Sequence, residues 1–260
     1  MKLKKPNVIK STISGLVTTL FSKMKESTEN SSILKQYQAF LKSGNTDQAY
    51  RFQHSNDTFY PCFGDDTATT DFEPHYTYHP AWAARILAKT SPKKHIDISS
   101  TLKFCSIVSA FIPVEFYDYR PAKLKLEGLA CKKADLLNLP FADDSVDSLS
   151  CMHTIEHIGL GRYGDEIDYD GDLKAIKELK RVLAPNGDLL VVVPIGKPKI
   201  EFNAHRIYAY AQISSYFNDL NLVEFALIPD NYQEQGIIVN ATEAMADEQH
   251  WGCGCFWFRK

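Results

Sequence analysis

The sequence predicts an α/β protein: a Rossmann-like, doubly wound, mostly parallel seven-stranded sheet with an N-terminal helical addition. Three observations predict it. From Lys94 onward, short β-type runs alternate with segments of helical period. The run from Leu189 to Val193 is apolar without interruption, the pattern of a strand covered on both faces. Several runs end in aspartate or a small polar residue, at the strand ends where such sheets bind ligands.

Residues 1–80 read as the addition and residues 81–260 as the Rossmann-like domain. In the addition, Ile33, Leu34, Tyr37, Phe40 and Leu41 recur at helical spacing, and Gly44-Asn45 offers a stop. The stretch from Asp57 to His79, rich in Asp, Thr, Pro and aromatics without a period, reads as an ordered loop. A helix over Ala81 to Ala88 then leads to a strand at His95 to Ile98 and a helical run to Phe111. Further strands are expected at Ile112 to Tyr117, Gly128 to Lys132 and Val146 to Met152. Leu173, Ile176, Leu179, Val182 and Leu183 share one face of a helix over Asp172 to Leu183. Pro185-Asn186-Gly187 turns that helix into the apolar strand. A helix over Ile207 to Phe217, a strand over Leu222 to Ile228 and a final edge strand over Cys255 to Phe258 complete the sheet.

Composition narrows the partners. With 44% hydrophobic and 23% charged residues the chain has ordinary globular composition, and a net charge of -3 argues against nucleic acid. No run reaches the roughly 18 apolar residues of a membrane span. Lysines and hydroxyl residues interrupt the mildly apolar stretch from Val8 to Phe21, and no small-residue cleavage site follows. That stretch reads either as a helix packed on its own domain or as an amphipathic helix in peripheral membrane contact. The six cysteines form no CxxC pair and no disulfide framework, so a cytoplasmic, reducing setting is expected. Cys253-Gly254-Cys255 has a spacing that suits either a metal or redox pair or two alternating residues of a strand.

Candidate site residues gather at the predicted strand ends. Asp118 closes the second strand, where an acid can accept the ribose hydroxyls of an adenosine cofactor. Asp135 follows the third, placed for the adenine amino group. Between the fourth strand and the next helix lies an unusually polar connection. In it, His157 has the pKa range to take a proton from a hydroxyl, and Glu156 can orient it. Gly159, Gly161 and Gly164 allow a tight backbone that presents Arg162, Tyr163 and Asp165 to a substrate, with Arg162 suited to a phosphate or carboxylate. Asn203, His205 and Arg206 follow the fifth strand and can share a cleft with His157. No tight ligand spacing supports a metal at His157 and His205, so none is assigned.

The run Asp135-Leu-Leu-Asn-Leu-Pro-Phe-Ala-Asp-Asp-Ser-Val-Asp147 resembles a block of the class I S-adenosylmethionine-dependent methyltransferase superfamily. So do His153-Thr-Ile-Glu-His157 and Glu178-Leu-Lys-Arg-Val-Leu-Ala-Pro-Asn-Gly187. More narrowly, Glu156-His-Ile-Gly-Leu-Gly-Arg-Tyr-Gly-Asp165 and Glu201-Phe-Asn-Ala-His-Arg206 resemble signatures of a bacterial family of unknown function met among surface-polysaccharide genes. The resemblance spans about Tyr76 to Pro229. It implies S-adenosylmethionine as cofactor, held by Asp97, Ser99, Ser100, Asp118, Asp135, Leu136 and His153. It also implies O-methylation of a small hydroxylated acceptor such as a sugar, with His157, Glu156 and His205 catalytic. One departure stands out. The superfamily's first motif carries glycines after an acidic strand residue, whereas Asp97-Ile98-Ser99-Ser100-Thr101 has none. Glycine there allows positive φ and close backbone approach. The same fold is compatible with a scaffold that has lost its cofactor, or with a glycosyltransferase that takes a nucleotide sugar.

Overall fold

The computed structural model describes residues 31–43 and 59–260. The chain divides into two compact units, residues 1–71 and 72–260. In the first unit residues 31–43 form helix α1, on which Ile33 and Tyr37 are the half-buried positions. The Tyr37 ring meets that of Phe59 at 5.1 Å between centroids. The expected stop at Gly44-Asn45 and the run from Val8 to Phe21 lie outside the described residues.

The second unit opens on helix α2 (Pro74–Thr90), which takes in the end of the stretch expected to be a loop, from Pro74 to His79. Pro80 hides this helix from sequence reading, because an interior proline removes one backbone hydrogen bond and usually ends a helix. Here Glu73 caps the N-terminus by accepting the Tyr76 N–H, and Pro74 occupies the first turn, where a proline costs nothing. His75, His79, Trp82, Ala83, Ile86 and Leu87 form its buried face.

The core strands follow in the expected alternation: β1 (His95–Ile98), β2 (Val114–Asp118), β3 (Leu129–Lys133), β4 (Val146–Met152) and β5 (Leu183–Ile195). All run parallel, with helix α3 (Leu102–Val108) after β1 and α4 (Gly171–Val182) between β4 and β5. Beyond β5, β6 (Lys199–Glu201) and β7 (His205–Ile207) form a separate antiparallel hairpin. The expected helix from Ile207 is therefore shorter, α5 (Tyr210–Tyr216), because His205 to Ile207 pair with β6 instead. Strand β8 (Asn221–Ile228), the short helix α6 (Tyr232–Gln235), β9 (Ile238–Val239), α7 (Glu243–Asp247) and β10 (Gly252–Arg259) complete the chain order.

The spatial order of the sheet is β3-β2-β1-β4-β5-β10-β8-β9. Seven strands form the doubly wound frame and the two-residue β9 adds an eighth at one edge. The last strand does not close the edge, as its sequence position suggests, but lies between β5 and β8, antiparallel to both. Its composition explains the placement: Gly252 to Phe258 are all buried, and a strand apolar on both faces belongs inside a sheet. Alternation then sorts its side chains. Cys253, Cys255 and Trp257 join Trp82, Ile86 and Phe104 on the α2–α3 face. Phe256 and Phe258 join Ile176, Leu179 and Ile213 on the α4–α5 face.

Candidate functional site

The turn after β1 is the first element of the site, and it lacks the glycines its position calls for. Ser99 nonetheless adopts φ +54°, the left-handed conformation that glycine takes at least cost. Hydrogen bonds hold it there. The Ser99 N–H and hydroxyl both donate to the Tyr117 carbonyl, at 2.8 and 3.1 Å, and the Thr154 hydroxyl donates to the Ser99 carbonyl at 3.0 Å. Ser100 accepts the Met152 N–H on its hydroxyl, and Thr101 caps α3 by accepting the Phe104 N–H.

Asp97 lies beneath this turn and is completely buried. Its carboxylate accepts from the Ser100 N–H at 3.0 Å and from the Ser150 hydroxyl, and burial pushes its pKa up. Asp97, expected to contact a cofactor, organises the turn from below and is completely buried. The network continues to His95, whose ring nitrogens meet the Ser148 and Ser150 hydroxyls at 2.8 Å each. Because Ser150 donates to Asp97, His95 Nε2 donates to Ser150 and Nδ1 accepts from Ser148. Burial without a charged partner lowers the His95 pKa to about 3.

Asp118 and Asp135 end up at the carboxyl ends of the neighbouring strands β2 and β3, Asp118 half-buried and Asp135 exposed. Each folds one carboxylate oxygen back onto its own turn, to the Arg120 N–H at 2.7 Å and the Leu137 N–H at 2.9 Å. Leu136 is buried in the main apolar cluster. Glu178 and Arg181 of α4 brace the loop that follows. Glu178 accepts the Leu139 N–H, and the Arg181 guanidinium reaches the carbonyls of Leu139 and Phe141.

The connection after β4 starts with His153, another non-glycine residue in the left-handed region at φ +54°. Both of its ring nitrogens are engaged, Nδ1 with Glu156 Oε1 at 2.9 Å and Nε2 with Cys253 Sγ at 3.4 Å. Its ring packs against His75, Tyr76 and His79 of α2, so the side chain serves that cluster rather than the cofactor edge. Glu156 is buried, and its Oε1 also lies 3.8 Å from His157 Nε2. His157 Nδ1 sits 2.6 Å from the Ala204 carbonyl and therefore carries the proton, which leaves Nε2 as the basic nitrogen. Burial holds the His157 pKa below the usual histidine range, against the opposing pull of Glu156 and the Ala204 carbonyl.

The hairpin β6–β7 meets this connection directly. The Ala204 carbonyl also accepts from Arg162 at 3.2 Å, and the His157 and His205 rings lie 6.5 Å apart. Asn203 is exposed at the hairpin tip. Arg206 and Asp165, expected to touch substrate, help to build the loop. The buried Arg206 guanidinium donates to the carbonyls of Glu156, Ile158 and Tyr169 and pairs with Asp172 at 3.6 Å. Burial opposes ionisation of Asp165, but the N–H groups of Gly159, Gly161 and Tyr163 all point at its carboxylate and hold its pKa low. Gly159 is indispensable to this arrangement: at φ +80° an added Cβ would stand 2.0 Å from the Asp168 carbonyl oxygen.

Two groups escaped the sequence reading. Arg120, on the loop after β2, stacks on Tyr163 at 4.9 Å while Arg162 covers the same ring at 5.2 Å, so two exposed guanidiniums lie over one exposed tyrosine. His75 and His79 stand four residues apart on one face of α2, a spacing that would have signalled them once the helix was seen to start at Pro74. A cleft of about 260 Å³ opens nearby, lined by Tyr169, Lys199, Tyr208, Gln212 and Tyr216, with Arg206 at its boundary.

The family model described as "Caenorhabditis protein of unknown function, DUF268" matches residues 138–246, a span that contains the connection after β4 and the hairpin. The uncharacterized protein MJ0638 of Methanocaldococcus jannaschii is 35% identical over 60 residues, 23% of this chain. The matched region spans only 21% of that relative's length. Among solved structures, the N-methyltransferase NodS from Bradyrhizobium japonicum, in complex with S-adenosyl-L-homocysteine, is similar at a TM-score of 0.50 and 13% identity, over 76% of this chain and 93% of its own. The 1,6-didemethyltoxoflavin-N1-methyltransferase of Burkholderia thailandensis is similar at 0.50 and 12% identity, over 71% and 80%. At these identities the likeness is one of architecture: the chain has the Rossmann-like fold of class I methyltransferases.

Proposed function

We propose that this chain is an S-adenosylmethionine-dependent methyltransferase that methylates a hydroxyl of a small acceptor such as a sugar, of the kind built into surface polysaccharides. The observation that carries the reading is the left-handed Ser99 in a turn without glycine. The backbone course that lets a chain approach the methionine part of the cofactor is preserved by hydrogen bonds where the usual residue is missing. Asp118 and Asp135 would hold the ribose and adenine from the adjoining strand ends, each with one oxygen fixed by its turn. When bound, the cofactor supplies an electrophilic methyl group on a sulfonium.

This chain's residues would do the rest. His157 Nε2 takes the acceptor's proton as its oxygen becomes nucleophilic, with Nδ1 locked on the Ala204 carbonyl so that the basic nitrogen is the right one. Arg162 and Arg120, both over the Tyr163 ring, suit an acceptor that carries a phosphate or carboxylate. His205 lines the same region and orients the acceptor. A reducing, cytoplasmic setting goes with this reading and rests on cysteine spacing that forms no disulfide framework.

Calorimetry with S-adenosylmethionine and S-adenosylhomocysteine tests the cofactor. Saturable binding is expected, weakened about tenfold or more in Asp118→Ala by loss of a charge-assisted hydrogen bond. Neither heat nor a melting shift at millimolar cofactor would overturn the reading, and a shift with a nucleoside diphosphate instead would point to glycosyl transfer. Once an acceptor is found, His157→Ala should lower kcat about 100-fold or more.

A further inference from the structure

The histidines around the end of β4 form a second centre that methyl transfer does not use. His75 from α2, His153 after β4 and Cys253 from β10 bring one ring nitrogen each and a sulfur within 4.8 Å of one another. The three come from elements far apart in sequence, and the cysteine is completely buried. We propose that His75, His153 and Cys253 bind a divalent transition-metal ion of the zinc type, with Glu156 orienting His153 from behind.

The geometry suits that ion. His153 Nε2 and Cys253 Sγ lie 3.4 Å apart. Zinc–nitrogen and zinc–sulfur bonds of about 2.0 and 2.3 Å, set at a tetrahedral angle, separate those atoms by about 3.5 Å. Nitrogen and thiolate donors select zinc, cobalt and related ions over magnesium or calcium, which take oxygen.

The surroundings repeat what metal-binding histidines require behind them. A ligand imidazole donates its other N–H to a carboxylate or a backbone carbonyl, which fixes the tautomer and aims the free nitrogen at the ion. His153 has this arrangement with Glu156 at 2.9 Å.

A second, independent sign is the unmet polar demand at this spot. Among the described residues only four buried side-chain polar atoms lack a hydrogen-bond partner, and two of them are His79 Nε2 and Glu156 Oε2. His79 packs edge-on against His153, and its Nδ1 is already bonded to the His75 carbonyl. Buried groups of this kind are normally satisfied, and leaving them unpaired is costly. Binding releases the Cys253 thiol proton to solvent as the metal–sulfur bond forms. Three protein donors leave the fourth corner of a tetrahedral ion for a water or an acceptor oxygen.

The test uses the full chain, stripped with a chelator and titrated with Co²⁺ alone and then Zn²⁺. One equivalent of cobalt should bind with sulfur-to-cobalt charge-transfer absorption and intense tetrahedral bands, and one equivalent of zinc should displace it. Cys253→Ser should abolish the charge-transfer band. Because that variant disturbs a central strand, Glu156→Gln supplies a milder check. It keeps all three ligands and should retain the cobalt spectrum while weakening affinity 10- to 100-fold. Absence of stoichiometric cobalt binding, a spectrum of oxygen ligands only, or unchanged affinity in Glu156→Gln would each overturn the proposal. None of these readouts depends on methyl transfer, so the centre and the proposed activity fail separately.

Discussion

Two connections at the same edge of the sheet solve the same backbone problem by opposite means. The turn after β1 has three residues, no glycine and one left-handed serine, and side-chain hydroxyls hold it to β2 and β4. The connection after β4 is long, uses three left-handed glycines, and is tied together by Asp165 on backbone N–H groups and Arg206 on carbonyls. In the first, polar side chains stabilise a conformation the residue disfavours. In the second, beyond the left-handed His153 at its start, glycines take the left-handed positions and charged side chains satisfy what the irregular backbone exposes. The comparison teaches that a missing glycine is not a missing turn, provided hydroxyls stand where they can bond the backbone.

The largest effect expected from breaking this comparison is at Gly159. Gly159→Ala places a carbon 2.0 Å from the Asp168 carbonyl at positive φ, so the loop must unfold locally. A loss of about 3 kcal/mol or more is expected in denaturant unfolding, together with loss of hydrogen-exchange protection around Arg206.

Acid should loosen the shorter turn from below. His95, with its pKa near 3 in the folded protein and near 6.5 unfolded, binds its proton more readily when unfolded. Stability from this group is therefore complete above about pH 6.5 and falls as pH drops toward 3, by about 1.4 kcal/mol per pH unit. His95→Gln should flatten this part of a melting-temperature profile. An unchanged acid slope in the variant would remove His95 from the account.

The smallest effect is expected at Ser99. Ser99→Gly relieves the disfavoured φ but gives up the hydroxyl bond to Tyr117, so stability should move by less than about 1 kcal/mol either way. A large loss would mean the hydroxyl network carries more of the turn than the backbone does.

Much of the frame was legible because it rests on period and composition. Strand β4 has the bounds its apolar run predicts, and α4 buries Ile176, Leu179 and Val182 of its expected face, while Leu173 is exposed and Leu183 already opens β5. What stayed hidden depends on partners distant in sequence. Pro80 masked α2, and with it the pairing of His75 and His79 on one face. The place of β10 inside the sheet follows from burial on both faces, which its sequence showed but its position as the last strand obscured. Asp97 and Arg206 are residue types that normally advertise ligand binding, yet the fold spends them on buried backbone. Residue type at a strand end identifies the neighbourhood of a site without saying which polar group faces the ligand.

The insertion of β10 also has a consequence for how the protein is made. β5 emerges from the ribosome some sixty residues before its permanent neighbour, whose first residue is Gly252. During that interval β5 and β8 each present an open, strongly apolar strand edge to the cell, the kind of surface that recruits the wrong partner. Folding of the whole sheet therefore waits for the final strand, and so does Cys253. A translation pause or premature stop ahead of residue 252 would be expected to yield an aggregating intermediate rather than a smaller folded protein.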